Sequence, residues 1–137
     1  MPPSDAPVVV FGGTGFLGRA AVRALAESGA SVRVAARRRG DVTLPEGAEF
    51  LAADIRSEQD TAAALEGARA VINTVSLYTE TRDLDFHTIH VEGAERLARG
   101  ARAAGVHRFI QVSGIGADAG SASAYVRARA LGEQAVQ

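Results

Sequence analysis

The 137-residue chain contains no cysteine, and all fifteen of its basic residues are arginine. Without cysteine there is no disulfide, no thiolate metal site and no cysteine nucleophile. Without lysine, chemistry that needs a side-chain ammonium or a Schiff base is excluded within this chain. A composition rich in alanine, glycine and arginine points to a GC-rich coding sequence as the origin of both absences. Long apolar runs are missing too, so no membrane-spanning helix is expected. The polar, proline-rich start Met1–Ala6 lacks the pattern of a secretory signal, and a cytoplasmic protein is expected. Charge of one sign is also absent. Sixteen acids balance the arginines to a net charge of −1, and both signs are spread along the chain, which argues against a nucleic-acid partner.

What is present fits one domain over residues 1–137, with 47% hydrophobic and 23% charged residues. Short β-branched runs alternate with stretches of helical spacing. Pro7–Gly12 reads as a strand buried on both faces, and Gly15–Ser28 as a helix stopped by Gly29. Ser31–Ala36 is the second strand, Arg37–Gly47 a polar turn, and Ala48–Ala53 the third strand. A helix capped by Ser57 and ended by Gly67 leads to a fourth strand, Ala68–Val75. A long helix over Phe86–Ala104, a fifth strand Arg108–Ser113 and a final helix Ala124–Gln137 complete the chain. The overall order reads as strict strand–helix alternation. It predicts an α/β fold of the Rossmann type, a doubly wound parallel sheet of about five strands.

The sharpest chemical signal is the run from Val8 to Gly18, with Gly12, Gly13, Gly15 and Gly18 between the first strand and the first helix. Gly12 lets the chain leave the strand, Gly15 admits a pyrophosphate close to the backbone, and Gly18 lets helix and strand pack closely. The helix N-terminus adds free N–H groups and positive dipole, so the segment Gly12, Gly13, Thr14, Gly15, Phe16, Leu17, Gly18 is a candidate dinucleotide cradle. It is not a P-loop, because the GK[ST] ending is absent. After the second strand an acid would select NAD by bonding the 2′-hydroxyl. Here Arg37, Arg38 and Arg39 occupy that neighbourhood, and no acid follows before Asp41. Arg37 and Arg38 suit a 2′-phosphate, so NADP is the preferred cofactor and NAD the alternative. A solvated basic turn is the other reading of these arginines.

Four segments together resemble the extended and atypical short-chain dehydrogenase/reductase superfamily. They are Gly12–Gly18, Asp54-Ile55, the stretch Ile89–Ala94 continuing through Ala104–Gly114, and Ala124–Glu133. Within that superfamily they are most similar to the branch of epimerase/dehydratases and the nucleotide-binding accessory subunit of respiratory complex I. The resemblance implies that Asp54 and Ile55 flank the adenine, and that Asn73, Thr74 and Val75 lie beside the cofactor ribose. On its own residues Asp54 reads equally as the acid at a helix N-terminus. Relatives continue well beyond this length with a substrate region. That implies a cofactor-binding half, whose pocket a partner chain or a second copy would complete.

The resemblance also implies a Tyr-x-x-x-Lys pair and a hydroxyl residue after the fifth strand. Tyr125 stands at the tyrosine position, but Arg129 replaces the lysine. Residues i and i+4 share a helix face, so the pair can meet, although arginine is larger and planar. An interfacial tyrosine with a surface arginine is the alternative. Ser113 is the candidate hydroxyl, Gly114 stands where many relatives carry a second one, and Ser121 and Ser123 are lesser substitutes. His90 stands where relatives commonly carry asparagine. His87 and His90, three apart on a helix, lack a third ligand of suitable spacing, so no metal is predicted and both read as solvated or capping residues. Two functions stay open. One is an oxidoreductase or epimerase acting on a hydroxyl or carbonyl substrate through Tyr125, Arg129 and Ser113. The other is a non-catalytic dinucleotide-binding module, a redox sensor or assembly subunit.

Overall fold

The structure is a computed structural model that describes residues 5–137. Its elements are β1 (Val8–Phe11), α1 (Phe16–Glu27), β2 (Val32–Ala36), β3 (Ala48–Ala52), α2 (Glu58–Leu65) and β4 (Ala70–Asn73). A π-helical segment, His87–Gly93, runs directly into α3 (Ala94–Ala103), followed by β5 (Arg108–Gln111) and α4 (Ala124–Ala135). The five strands form one parallel sheet in the order β3-β2-β1-β4-β5. The expected doubly wound sheet is therefore present, with its order reversing beside β1.

Two expectations need correction. Strand–helix alternation is not strict: β2 and β3 are joined by the turn region alone, which bends through Gly40 and Gly47 at positive φ. The helix expected over Phe86–Ala104 opens as a wider π-helical coil before tightening at Ala94.

Burial explains the register. All four residues of β1 are buried, because β1 lies at the centre with helices on both faces. Val9, Phe11, Val71, Leu65 and Leu97 share one core layer. Val10, Val22, Val32 and Val34 form the opposite one, against α1. Helix α1 ends as glycine punctuation predicts, with Gly29 at φ +88°. Ser57 caps α2 by accepting a hydrogen bond from the Asp60 amide at 3.1 Å.

Candidate nucleotide-binding site

At the carboxyl ends of the strands, where the sheet order reverses, lies a cavity of about 560 Å³. Its floor is the turn after β1. Gly12 has φ +81°, and a Cβ there would meet Thr74 Oγ1 at 2.8 Å, so both conformation and space demand glycine. Gly18 is stricter still, since a Cβ would lie 2.1 Å from the Gly12 carbonyl oxygen. This packing seats the first turn of α1 on the loop. Gly15 is the N-cap, and no side chain caps the helix, nor does an acid stand in its first turn. The first N–H groups are thus left for an external acceptor, as an anion-binding helix start requires.

Gly12, Thr14, Gly15, Phe16, Leu17 and Gly18 all border the cavity. Phe16 is 89% exposed, which places an aromatic ring at the rim. Gly13 does not border it: it is buried, and a Cβ there would strike Val34 and Val22, so its role is packing.

On the β2–β3 side, Arg37 and Arg38 follow the last residue of β2, line the cavity and are exposed. Neither forms an ion pair among the described residues. Asp54 and Ile55 border the same region. Asp54 is committed locally: Arg56 grips both of its oxygens, at 3.0 Å from Nε to Oδ1 and 2.7 Å from Nη2 to Oδ2. That bidentate pair holds the Asp54 carboxyl below the usual carboxylate range, and burial opposes the shift. Asp54 is thus a charge already paired within the loop, and Ile55 supplies the apolar wall.

Thr74 and Val75, after β4, reach the cavity, whereas Asn73 does not. Asn73 is 2% exposed, donates to Gln111 Oε1 at 2.9 Å and accepts from the Val75 amide at 3.1 Å. It fastens the ends of β4 and β5, and so shapes this end of the cavity without facing it. Thr74 donates from Oγ1 to the Phe11 carbonyl at 2.7 Å, locking the β1 end to the β4 end.

The far side of the cavity holds Ser113, Gly114, Tyr125 and Arg129 together. Arg129 is not a surface residue. It is 6% exposed, its guanidinium carbon lies 5.9 Å from the Tyr125 ring centroid, and its Nη1 lies 2.9 Å from His90 Nδ1. The expectation of a solvated or capping His90 fails: at 2% exposure it is buried beneath α4, whereas His87 is exposed. His90 Nε2 lies 3.0 Å from the Leu77 carbonyl oxygen and 3.1 Å from the Leu77 amide nitrogen; because arginine can only donate, Nδ1 is the bare acceptor, so Nε2 carries the proton and gives it to the carbonyl. Burial is the main force holding His90 below the ordinary histidine range. The Leu77 bond works the other way, and the Arg129 charge adds to the lowering. Among the described residues no cluster of metal-ligating side chains occurs.

Sequence reasoning missed the surroundings of Tyr125. Its ring packs against Tyr78, Phe86 and His90, each with centroids 5.7 Å away. It also missed Ser76, whose position just past β4 was the available signal. The lesser candidates Ser121 and Ser123 are used elsewhere. Ser121 accepts from the Ser123 amide, and Ser123 caps α4. Three buried polar atoms have no hydrogen-bond partner among the described residues: Ser76 Oγ, Ser113 Oγ and Arg129 Nε. All three belong to residues of this one cavity. Native interiors pair such atoms, so their concentration here marks a ligand-completed site.

A glycine cradle at a free helix start, at the switch point of a parallel sheet, defines a dinucleotide-binding domain of the Rossmann type. Residues 12–135 match the NAD(P)H-binding family model, and the chain belongs to that family, within the short-chain dehydrogenase/reductase-like proteins. It is 33% identical to the mitochondrial NADH dehydrogenase (ubiquinone) 1 alpha subcomplex subunit 9 of Mus musculus, over 98% of this chain and 37% of the relative. It is 37% identical to a ceramide reductase of Caulobacter vibrioides, over 95% of this chain and 41% of the relative. The chain therefore spans less than half the length of these curated relatives. Among solved structures, a short-chain dehydrogenase/reductase superfamily protein of Agrobacterium tumefaciens with bound NAD superposes with a TM-score of 0.80. The two are 28% identical, over 95% of this chain and 44% of that one.

Proposed function

We propose that this chain is the cofactor-binding part of an NADP(H)-preferring oxidoreductase or epimerase acting on a hydroxyl or carbonyl group. The observation that carries the catalytic reading is the convergence of Tyr125, Arg129 and Ser113 on the cavity wall, with unpartnered polar atoms on Arg129 and Ser113. The residues fit a dinucleotide: the free amides after Gly15 suit the pyrophosphate, and Ile55 the adenine. A bound nicotinamide would accept or supply the hydride. The chain's own residues do the rest. Ser113 Oγ orients the substrate oxygen by a hydrogen bond, and the Tyr125 hydroxyl exchanges a proton with it. Arg129 supplies the fixed cation beside the Tyr125 ring. Tyr78 and Phe86 pack against the Tyr125 ring and hold it at the reacting end.

NADP preference rests on Arg37 and Arg38, which are exposed, unpaired and at the end of β2, where a 2′-phosphate would meet them. A cytoplasmic location, and a partner chain or second copy completing the substrate pocket, belong to the same proposal. A second reading, a non-catalytic module within a larger assembly, is favoured by the likeness to mitochondrial NADH dehydrogenase subunits.

Titration with NADPH and NADH tests the cofactor: we expect tighter NADPH binding, and clearly tighter NADH binding would refute the preference. A carbonyl-substrate panel with wild type and Tyr125→Phe tests the chemistry. We expect turnover that the substitution removes. A cofactor-binding chain with no turnover on the panel, alone or with its partner, would favour the assembly reading.

A further inference from the structure

Six large apolar side chains stand exposed among the described residues: Phe16, Leu17, Leu51, Tyr78, Ile110 and Ile115. Leu51 lies on β3 and Ile110 on β5, the two outer strands of the sheet. The other four gather in one place. Phe16, Leu17 and Tyr78 line the cavity, and Ile115 directly follows Gly114, which lines it too. Single exposed apolar residues are ordinary, but a group drawn from three separate segments around one opening marks a binding surface. Tyr78 is 74% exposed, yet its ring centroid lies 5.7 Å from that of Tyr125, so the apolar rim extends to the reacting end. Leu77 and Leu84 border the cavity as well and pack onto the core.

Charge is distributed the opposite way. The charged side chains bordering the cavity are Arg37, Arg38, Asp54 and Arg129. The first three stand on the β2–β3 side, and Arg129 is buried with Nη1 bonded to His90. Among the described residues, no exposed charged side chain borders the cavity on the Tyr125 side. The loops that carry the rim residues are acidic. Exposed Glu80, Asp83 and Asp85 follow Tyr78, against one exposed Arg82, and exposed Asp118 follows Ile115. An anionic group, such as a carboxylate or the diphosphate of a sugar nucleotide, would meet no free counter-charge here and several like charges nearby.

Resting on the oxidoreductase reading above, we propose that the substrate is an uncharged, hydrocarbon-rich alcohol or carbonyl compound, with its oxygen at Tyr125 and its chain or ring system against Tyr78 and the exposed rim. Pockets for such ligands are mostly apolar, with a few polar groups that fix orientation, and Ser113 and Tyr125 are those groups here.

Tyr78 and Tyr125 are the only tyrosines, both line the cavity, and tryptophan is absent, so tyrosine emission reports on this site alone. Primary alcohols from butanol to decanol, titrated into the full chain, should bind about three- to fourfold more tightly per added methylene, as expected for removing each from water. ω-Hydroxy acids of the same lengths should bind about tenfold more weakly or worse, because a carboxylate would be desolvated unpaired. Tyr78→Ser and Ile115→Ser should each flatten the length dependence; Ile115 is fully exposed, so its replacement leaves the fold intact. Any of three results would overturn the proposal: no length dependence in wild type, equal binding of the ω-hydroxy acids, or an unaltered slope in both variants. A rim covered by a second copy, seen as a dimer in sedimentation that the alcohols do not disturb, would overturn it too. NADPH-dependent reduction of the matching aldehydes separates the two readings. Length-dependent binding without turnover would refute the oxidoreductase reading and support the apolar site. Turnover confined to charged carbonyl compounds would support the oxidoreductase reading and overturn the apolar one.

Discussion

Gly18→Ala adds one methyl group, and its consequences can be worked out from three neighbours. The new Cβ would sit 2.1 Å from the Gly12 carbonyl oxygen, 2.7 Å from Gly13 Cα and 2.8 Å from Gly12 C. All three are backbone atoms, so no rotamer change relieves the clash. Restoring ordinary contact needs a displacement of about 1 Å between α1 and the glycine loop, measured against the usual separations of non-bonded atoms. Helix α1 resists, because Val22 is packed into the layer formed by Val10, Val32 and Val34. Overpacking of this kind costs about 1–3 kcal/mol, and the better helix propensity of alanine returns about 1 kcal/mol of it. The net loss of up to about 2 kcal/mol should lower Tm by up to about 8 °C for a domain of this size. Cofactor affinity should fall further, by about tenfold or more, since the displaced atoms are those that cradle a pyrophosphate. Gly120→Ala is the matched control: it lies outside the cavity, its Cβ meets nothing closer than 3.5 Å, and its φ is not in the left-handed region. Thermal unfolding and NADPH titration of both variants decide the matter. A Gly18→Ala protein with wild-type Tm and wild-type affinity would refute the argument from close packing.

Replacing Arg37 and Arg38 together by alanine should weaken NADPH about 10–100-fold, the two exposed charge-assisted contacts together being worth about 1.5–3 kcal/mol, with NADH changed little. Parallel titrations read the ratio, and equal loss for both cofactors would sink it. Asn73→Ala leaves Gln111 and the Val75 amide unpaired at a buried site, so a loss of about 1–3 kcal/mol is expected in denaturant unfolding. Two acid transitions should be separable. His90 has a folded-state pKa below its unfolded one, so its stabilisation is complete above about pH 6.5 and declines as pH falls through that value. Asp54 is also depressed, so its stabilisation is complete above about pH 4 and declines below it. His90→Asn should erase the first decline in a Tm-versus-pH series, and Asp54→Asn should reduce only the second.

The fold and the glycine cradle were readable because each follows from local rules. A central parallel strand must be apolar throughout, as Val8–Phe11 is, and positive-φ or crowded positions demand glycine, as at Gly12 and Gly18. Arg37 and Arg38 were placed by their position at the end of the second strand, and Tyr125, Arg129 and Ser113 by the family resemblance; all five line the cavity. What escaped depends on contacts between distant elements. Asn73 and Thr74 are adjacent in sequence, yet one fastens β5 and the other fastens β1, and no local pattern distinguishes them. His90 reads as one of two polar residues on a helix. Only the docking of α4 at Gly132 buries it and supplies Arg129 as its donor. The π-helical opening at His87–Gly93 likewise has no propensity signature, because it answers to neighbours rather than to its own residues.

The position of β1 at the middle of the sheet also dictates an order of assembly. Val8 pairs on one side with Val32 and on the other with Ala70. Closing the second loop, of about 60 positions against about 25, costs only about 0.8 kcal/mol more in chain entropy, but it cannot occur until β4 has been made. During synthesis β1 and β2 can associate early with one flank of β1 still bare. The cavity acquires its β4 wall next and its α4 wall after that, so its two sides are made at different stages of synthesis. A bound dinucleotide would bridge those stages, and its stabilisation would fall most heavily on the late-docking segment that carries Tyr125 and Arg129.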